Sequence, residues 1–169
     1  MDGHVTKWGV FNAHFRGAFT GRLEGRSQGG FSTKLHLRAE GGGKPMVAVL
    51  TGGERHEQIA LETLLDNGAI RRASQGRPRL RLRRVAGDKG YSSPTARRRL
   101  RRRHIQPVIP SKSNQRRQPR FDREAYRQRN RIERLINHLK QFRRIATRYE
   151  KRGINYLAMV MLGMILLWL

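Results

Sequence analysis

Residues 126–140 read Tyr-Arg-Gln-Arg-Asn-Arg-Ile-Glu-Arg-Leu-Ile-Asn-His-Leu-Lys. If this stretch winds as an α-helix at about 100° per residue, four polar side chains share an arc of roughly 60°: Tyr126, Arg129, Glu133 and Lys140. Five apolar side chains occupy the adjoining arc: Ile132, Leu135, Ile136, Leu139 and Phe142. The pattern therefore predicts an amphipathic helix that buries its apolar side and holds a reachable carboxylate at the edge of the core.

This stretch has two interpretations. In the simpler one, Arg129 and Glu133 form an exposed i,i+4 ion pair, which adds only a few tenths of a kcal/mol to stability. In the other, the pattern Tyr-x2-Arg-x3-Glu-x6-Lys resembles the C-terminal signature of the DDE transposases encoded by bacterial insertion sequences. All four signature positions match in register.

Two further stretches resemble the same group of transposases. Residues 25–34 contain the run Gly-Arg-Ser-x-Gly-Gly-x-x-Thr-Lys. Asp88-Lys89-Gly90-Tyr91 follows a short apolar strand and resembles the context of the second acid of the group, although a turn-forming Asp-x-Gly is the simpler interpretation. His56 and Glu57 are candidate accessory site residues, with a loop and a helix start as the alternative.

Positive charge is concentrated in one part of the chain. The 169 residues carry a net charge of +25, and residues 71–152 hold 29 of the 37 Lys and Arg against five acids. This distribution predicts a polyanionic partner, with nucleic acid ahead of a membrane surface, and the excess of arginine suits bidentate phosphate contacts. The absence of cysteine excludes disulfides, zinc ribbons and thiol nucleophiles.

The hydrophobic pattern predicts one domain of alternating strands and helices. Strands are expected over 31–37, 45–50, 79–87 and 105–109, and helices over 57–67, 94–103 and 126–140, with Ser93 and Asp122 as N-caps. Residues 111–120 are expected to form a mobile loop, and residues 145–152 a link to the last segment. The uncharged segment 154–169 is interpreted as a core helix, with a membrane anchor as the alternative, because it falls short of the roughly 20 residues that span a bilayer.

The predicted helix over 94–103 carries six arginines but only two apolar side chains, Ala96 and Leu100. We expect this helix to be held loosely and to face outward, with a merely solvated surface as the alternative. The expected phosphate-contacting residues of this region are Lys89, Arg97, Arg98, Arg101 and Arg102.

The resemblance implies an α/β fold of the RNase H-like type, a mixed sheet flanked by helices with the catalytic carboxylates at one end. Asp88 would be the second acid and Glu133 the third, both ligands of Mg²⁺, for which Mn²⁺ would substitute. Two such ions, about 3.5–4 Å apart, activate a water or a DNA 3′-hydroxyl for phosphoryl transfer. Tyr126 would flank the acids, and Arg129 and Lys140 would hold a DNA phosphate.

The first acid of the family precedes the glycine-rich run on the opening strand. Only Asp2 and Glu24 stand upstream of that run, so Asp2 is the candidate for this catalytic position. The sequence therefore predicts an N-terminally shortened copy, with a divergent arm over 1–24, a partial catalytic domain over 25–169 and an incomplete or missing first strand. The aromatic spacing in residues 1–30 suits an amphipathic helix, but glycines interrupt it, and a small packing element or a poorly ordered arm are alternatives.

The predicted function is metal-dependent DNA strand cleavage and strand transfer by an insertion-sequence transposase. The alternative is a catalytically inactive DNA-binding remnant of such an enzyme, and a ribosomal type of RNA-binding protein would explain the charge but not the four matched residues. The expected partners are the DNA of the element ends and of the target, and further copies of the chain in a homo-oligomer, but no membrane. Because no signal peptide pattern is visible, we expect a cytoplasmic bacterial protein associated with the nucleoid.

Overall fold

The computed structural model describes residues 8–11, 25–27, 30–53, 55–68, 82–115, 118 and 121–169. The strands are β1 Trp8–Phe11, β2 Gly25–Ser27, β3 Gly30–Ala39, β4 Pro45–Gly52, β5 Arg84–Gly87 and β6 Gln106–Val108. The helices are α1 Leu61–Asp66, α2 Pro94–Arg102, α3 Arg123–Arg127, α4 Asn130–Gln141, α5 Arg143–Thr147 and α6 Gly153–Leu166. Single 3-10 turns over Glu57–Ala60 and Lys89–Tyr91 come before α1 and α2.

The strands form a mixed sheet with β1 at its centre. Its order is β4-β3-β1-β5-β6, and β2 pairs with the beginning of β3. β4, β3 and β1 are antiparallel neighbours, whereas β1, β5 and β6 run parallel. Phe11 pairs with Gly87, so the two central parallel strands end side by side, directly before Asp88.

Both faces of the sheet are covered, because side chains alternate between faces along each strand. On β3, Leu35 and Leu37 enter a core with α4 and α6. His36 and Arg38 point to the other face, where α1, α2 and the turn before α2 form a second core. The architecture is therefore a mixed α/β fold, as the sequence predicts.

Arg38 is a buried cation that the sequence pattern did not reveal. Its side chain is fully buried and donates hydrogen bonds to the carbonyl oxygens of Leu64 at 2.8 Å and Gly68 at 2.7 Å. Burial lowers the pKa of Arg38 to about 10. The guanidinium thus ties β3 to the end of α1 and satisfies carbonyl groups that the short helix leaves open.

Most of the predicted elements are confirmed. The hairpin β3–β4, the edge strand β6 and the helical stretch from Glu57 to Asp66 lie where expected. Both predicted caps are present, since Ser93 Oγ accepts a hydrogen bond from the N–H of Ala96 at 3.0 Å, and Asp122 Oδ1 accepts one from the N–H of Ala125 at 2.8 Å. The predicted strand over 79–87 is described only at its end, because residues 69–81 lie outside the described residues.

The prediction of one continuous helix over 126–140 was wrong. α3 ends at Arg127 and α4 begins at Asn130, with a tighter turn between them. The N–H groups of Arg129 and Ile132 bond to carbonyls three residues back, those of Tyr126 and Arg129, both at 3.0 Å. The tightened turn directs Arg131 to the carbonyl oxygen of Gly41, which anchors the start of α4 to the β3–β4 turn.

Two expectations about the chain ends also need correction. Residues 8–11 form a strand rather than a helix, and this opening strand is the central one of the sheet. The predicted link over 145–152 begins inside α5. α6 is a core helix on one side only, since Tyr156 and Val160 are buried but Ile154 and Ile165 are more than half exposed. In the part of the chain that the structure describes, no helix has the length and apolar character needed to span a membrane.

Candidate functional site

Asp88 lies where β5 ends and the chain turns towards α2. Its Oδ1 accepts a hydrogen bond from the N–H of Gly90 at 2.9 Å, and its carbonyl oxygen accepts one from the N–H of Tyr91 at 3.2 Å. The turn that Asp-x-Gly predicts is therefore present. The same bonds also fix the carboxyl group at the end of the two central parallel strands.

A second carboxyl group, that of Glu57, lies close to Asp88. A Cβ atom placed on Gly90 would lie 3.0 Å from Asp88 Oδ1 and 3.0 Å from Glu57 Cδ. Glu57 is held by Lys34 on β3, whose Nζ is 3.1 Å from Glu57 Oε1. The accessory role predicted for Glu57 thus acquires a geometric basis, and its neighbour His56 is half exposed, with Nδ1 3.9 Å from Glu57 Oε2.

The two carboxyl groups differ in pKa. Burial raises the pKa of Asp88, and the charge of Glu57 raises it further, although bonds from Gly90 and Tyr91 and the charge of Arg129 offset part of the shift. Burial is also the largest influence on Glu57, but its own backbone N–H and the ammonium of Lys34 outweigh it and leave the pKa of Glu57 below its ordinary value. A bound cation would relieve the repulsion between these groups.

Arg129 connects Asp88 with Glu133. Its Nη2 donates a hydrogen bond to Glu133 Oε1, and its charge lowers the pKa of Asp88. The guanidinium carbon lies 5.4 Å from the centre of the Tyr126 ring, within the range of a cation–π contact. Its Nε is buried and has no hydrogen-bond partner among the described residues. Three of the four signature residues therefore form one contact group, and the charge of Arg129 in this group lowers the pKa of Asp88.

The remaining expected residues differ in accessibility. The side chain of Glu133 is 47% exposed, so its carboxylate is held on α4 and reachable from solvent, as predicted. Lys140 is exposed on the same helix, about 10 Å further along its axis. Lys89 is exposed directly after Asp88. Asp2 lies outside the described residues.

A hard divalent cation would find suitable oxygen donors at this end of the sheet. The carboxyl pair of Asp88 and Glu57 fits such an ion by its chemistry, because Gly90 leaves the space between them open and a cation would stabilise both in the ionised form. Within the described ranges, however, no three His, Cys, Asp or Glu side chains form a group that would hold a metal ion. The donors are thus arranged as Asp88 with Glu57 and, on the other side of Arg129, Glu133.

The arginines of α2 have three different environments. Arg98, Arg101 and Arg102 line a groove of about 810 Å³, which lies between α2 and the residues Ser111, Asn114, Gln115 and Gln118. Arg99 and Arg103 instead reach α1, where Arg103 Nη2 is 2.5 Å from Glu62 Oε2 and Arg103 Nη1 is 2.5 Å from Asp66 Oδ1. The prediction that this helix is loosely held was therefore wrong, because ion pairs and a buried arginine fasten it.

That buried arginine is Arg97, which was expected to contact phosphate. Only 8% of its surface is exposed, and its Nη2 donates to Ser92 Oγ and to the carbonyl oxygens of Ile109 and Pro110 at 2.9, 2.9 and 3.1 Å. These bonds hold α2 against the end of β6. The periodicity of α2 places position 97 next to Ala96 and Leu100 on the inward side, but the sequence offered no sign that a guanidinium would find three acceptors there.

A buried polar network beside Asp88 was not predicted. His36 Nδ1 is 2.9 Å from the hydroxyl of Tyr91, and His36 Nε2 is 2.8 Å from Thr51 Oγ1. Burial raises the pKa of Tyr91, and the charges of Asp88 and Glu57 raise it further. The network joins β3 and β4 to the turn that carries Asp88, so it supports the position of that carboxyl group.

Comparisons with known proteins agree with these features. A family model described as a transposase DDE domain matches residues 10–169. A putative transposase for insertion sequence element IS402 from Burkholderia cepacia is 33% identical over 131 residues, which cover 78% of this chain. The chain spans 60% of the length of that relative.

Proposed function

Because the chain belongs to the family of DDE-domain transposases, we propose that it cleaves DNA strands at the ends of an insertion sequence and joins them to target DNA. The observation that carries this proposal is the grouping at one end of the sheet. Asp88 follows the central parallel strand β5, and Arg129 links its charge to that of Glu133. The contacts among Tyr126, Arg129 and Glu133 therefore support a common site with Asp88.

We further propose that the fold is RNase H-like. The strand order β4-β3-β1-β5-β6, antiparallel on one side of β1 and parallel on the other, supports this assignment. The position of Asp88 after β5, at the carboxyl end of the parallel strands, supports it as well, since α/β proteins place working groups at such strand ends.

Asp88 and Glu133 would hold Mg²⁺, with Glu57 as a further oxygen donor beside Asp88. When bound, two such ions would activate the attacking oxygen and stabilise the leaving oxygen of an in-line phosphoryl transfer. Lys34 keeps Glu57 ionised, and the turn over Lys89–Tyr91 keeps the carboxyl group of Asp88 in place. These contacts prepare the acids for a cation before any ligand arrives.

The cationic residues of the site would hold the DNA phosphate. Arg129 has an unpaired Nε among the described residues, and its guanidinium is oriented by Tyr126 and Glu133. Lys140 is exposed on the same helix, where it would contact the next part of the backbone. Arginine suits this role because its planar fork matches two phosphate oxygens at once.

A second candidate function is a DNA-binding remnant that does not cleave. One observation favours it: the described residues contain no group of three acids, and Asp2 lies outside them. Such a remnant would retain the net charge of +25 and bind DNA in a salt-dependent way without any effect of metal on the DNA.

A nicking assay on supercoiled plasmid with Mg²⁺ or Mn²⁺ separates the two candidates. We expect metal-dependent nicking that falls at least about 100-fold in Glu133→Gln, because even the outer-shell partners of metal ligands cost 10–100-fold when changed. Glu124→Gln is the matched control, since Glu124 lies on the neighbouring helix α3 with its side chain 79% exposed and pairs only weakly with Arg127. No nicking by the unchanged protein under either metal would favour the remnant, whereas equal nicking by both variants would overturn the role proposed for Glu133.

A further inference from the structure

The groove beside α2 differs in chemistry from the carboxylate site. Among the described residues, its lining contains no acidic and no aromatic side chain, and the side that faces the arginines of α2 includes Ser111, Asn114, Gln115 and Gln118. Arg98, Arg101 and Arg102 share one face of α2, because residues three and four apart are neighbours on a helix. Within the described ranges, none of these three guanidinium groups forms an ion pair with an acid, in contrast to Arg99 and Arg103.

The opposite wall of the groove is held in place before any ligand binds. Ser92 Oγ donates to Gln115 Oε1 at 2.6 Å, and Gln115 Nε2 donates to the carbonyl oxygen of Ser92 at 2.7 Å. Arg97 donates to the same Ser92 hydroxyl, which links this wall to α2. Gln118 Nε2 donates to the carbonyl oxygen of Ile109 at 2.9 Å. A wall that is already ordered loses less conformational entropy on binding.

Asn114 is the amide of this wall that remains available. The N–H of Gln115 bonds to the carbonyl oxygen of Lys112 at 3.0 Å and closes a turn with Ser113 and Asn114 at its tip. Asn114 is exposed, and among the described residues its side chain makes no hydrogen bond, whereas the amides of Gln115 and Gln118 are both engaged. Its carbonyl oxygen and its NH₂ group are therefore both accessible to a ligand in the groove.

We propose that this groove reads DNA sequence: Arg98, Arg101 and Arg102 hold the phosphate backbone, and Asn114 contacts the edge of an adenine base. The inference rests on the proposed function for its partner, DNA, but assigns sequence recognition to residues outside the carboxylate site. An asparagine amide matches the donor and acceptor that adenine presents in the major groove. The partner is duplex DNA, because unpaired bases are held by stacking on aromatic rings and the described residues that line the groove include none.

The test uses the full chain with a pool of randomised DNA duplexes, in EDTA so that no cleavage occurs. Repeated selection should enrich a short motif that contains an adenine. Asn114→Ala should then lose about 10-fold in affinity for the selected duplex but not for a scrambled one, with the same salt dependence as before. Ser113→Ala, at the same exposed turn, is the control and should bind like the unchanged protein.

The backbone contacts are tested by the salt dependence of binding. Arg98→Gln should weaken binding to selected and scrambled duplexes alike and reduce the slope of log K against log salt by about 0.9. Arg99→Gln, one position away but paired with Glu62, should leave the slope unchanged. A motif selected equally by Asn114→Ala, equal slopes for Arg98→Gln and Arg99→Gln, or a preference for single strands would overturn the proposal. Because no measurement here depends on cleavage, failure of the nicking assay and failure of this inference are distinguishable.

Discussion

The carboxyl group of Asp88 is partly buried beside a second carboxyl group, that of Glu57, and its pKa is raised as a result. At pH values between the ordinary pKa of an aspartate, near 3.8, and the raised pKa of Asp88, the carboxyl group is protonated in the folded chain but ionised in the unfolded chain. Stability therefore falls as the pH rises through this interval, and above it the full cost of ionising Asp88 is present. The cation proposed for this site would reduce this cost when bound.

Replacing Asp88 with asparagine should therefore stabilise the fold at neutral pH. In Asp88→Asn the amide oxygen still accepts the hydrogen bond from Gly90, while the buried negative charge is removed. We expect a higher Tm at about pH 7 without added metal, a gain that disappears at about pH 3, where Asp88 is protonated in both states. Thermal unfolding followed by circular dichroism at the two pH values measures this difference.

The control for that prediction is Asp66, which is exposed and paired with Arg103. Asp66→Asn should not raise Tm at neutral pH, since it removes an attractive contact instead of a repulsive one. A lower Tm for Asp88→Asn at neutral pH would mean that the charge of Arg129 outweighs burial and Glu57.

At the scale of elements, three helices meet at a position without a side chain. A Cβ atom on Gly163 in α6 would lie 2.7 Å from Ile145 Cδ1 in α5 and 3.3 Å from Leu139 Cδ2 in α4. Glycine is a poor helix former, so its presence in the middle of α6 lowers helix stability. The close approach of α4 and α5 explains why it is accommodated there.

Gly163→Ala should consequently destabilise the protein, although alanine is the better helix former. In open space the change would add about 1 kcal/mol of stability. Here the added methyl group overpacks the contact with Ile145, and we expect a net loss of about 1–2 kcal/mol. Urea unfolding measures the loss. The control is Ala158→Gly at an exposed position of α6, which measures the effect of helix propensity without any change in core packing. A more stable Gly163→Ala would mean that the three helices separate readily.

The arginines of helix α2 have different roles, depending on which side of the helix they occupy. Its inward position 97 fastens the helix to the residues that follow β6, its position 99 and the C-cap Arg103 pair with α1, and its positions 98, 101 and 102 face the groove. The ion pairs to α1 are partly exposed and stabilise by at most about 1 kcal/mol each. The buried bonds of Arg97 therefore contribute more to holding α2 in place.

For the whole molecule, a net charge of +25 on 169 residues implies strong self-repulsion. Raising the salt concentration from about 10 mM to about 100 mM shortens the Debye length from about 30 Å to about 10 Å. We expect Tm to rise over this range, because the repulsion that results from the large excess of positive charge is screened more than the close ion pairs are weakened. Duplex DNA should also raise Tm at low salt, because a polyanion that binds the folded chain reduces the repulsion among its positive charges.

The measurement is a series of thermal unfolding curves in sodium chloride at constant pH. A fall of Tm with salt would contradict the prediction and would show that pairs such as Arg103 with Glu62 and Asp66 dominate the electrostatic free energy. An uncharged osmolyte added at the same osmolality controls for effects of solution composition other than screening.

The sequence by itself determined the alternation of strands and helices, the caps at Ser93 and Asp122 and the buried face of α4, and its summed charge predicted a polyanionic partner. Each of these depends on residues close together in the chain, through side-chain periodicity, a cap two or three residues away, or summed charge. The signature around Glu133 was recognisable for the same reason, since its four positions lie within fifteen residues.

Only the tertiary structure decided which of these residues act together. Glu57 lies beside Asp88 because β3, the turn before α1 and the end of β5 converge, and Arg97 is buried while Arg98 is exposed because β6 supplies carbonyl acceptors on one side of α2. The local sequence does not indicate such partners, because distant segments come into contact only when the sheet forms. The tightened turn between α3 and α4 has the same origin, because Arg131 reaches a carbonyl group 90 residues earlier in the chain.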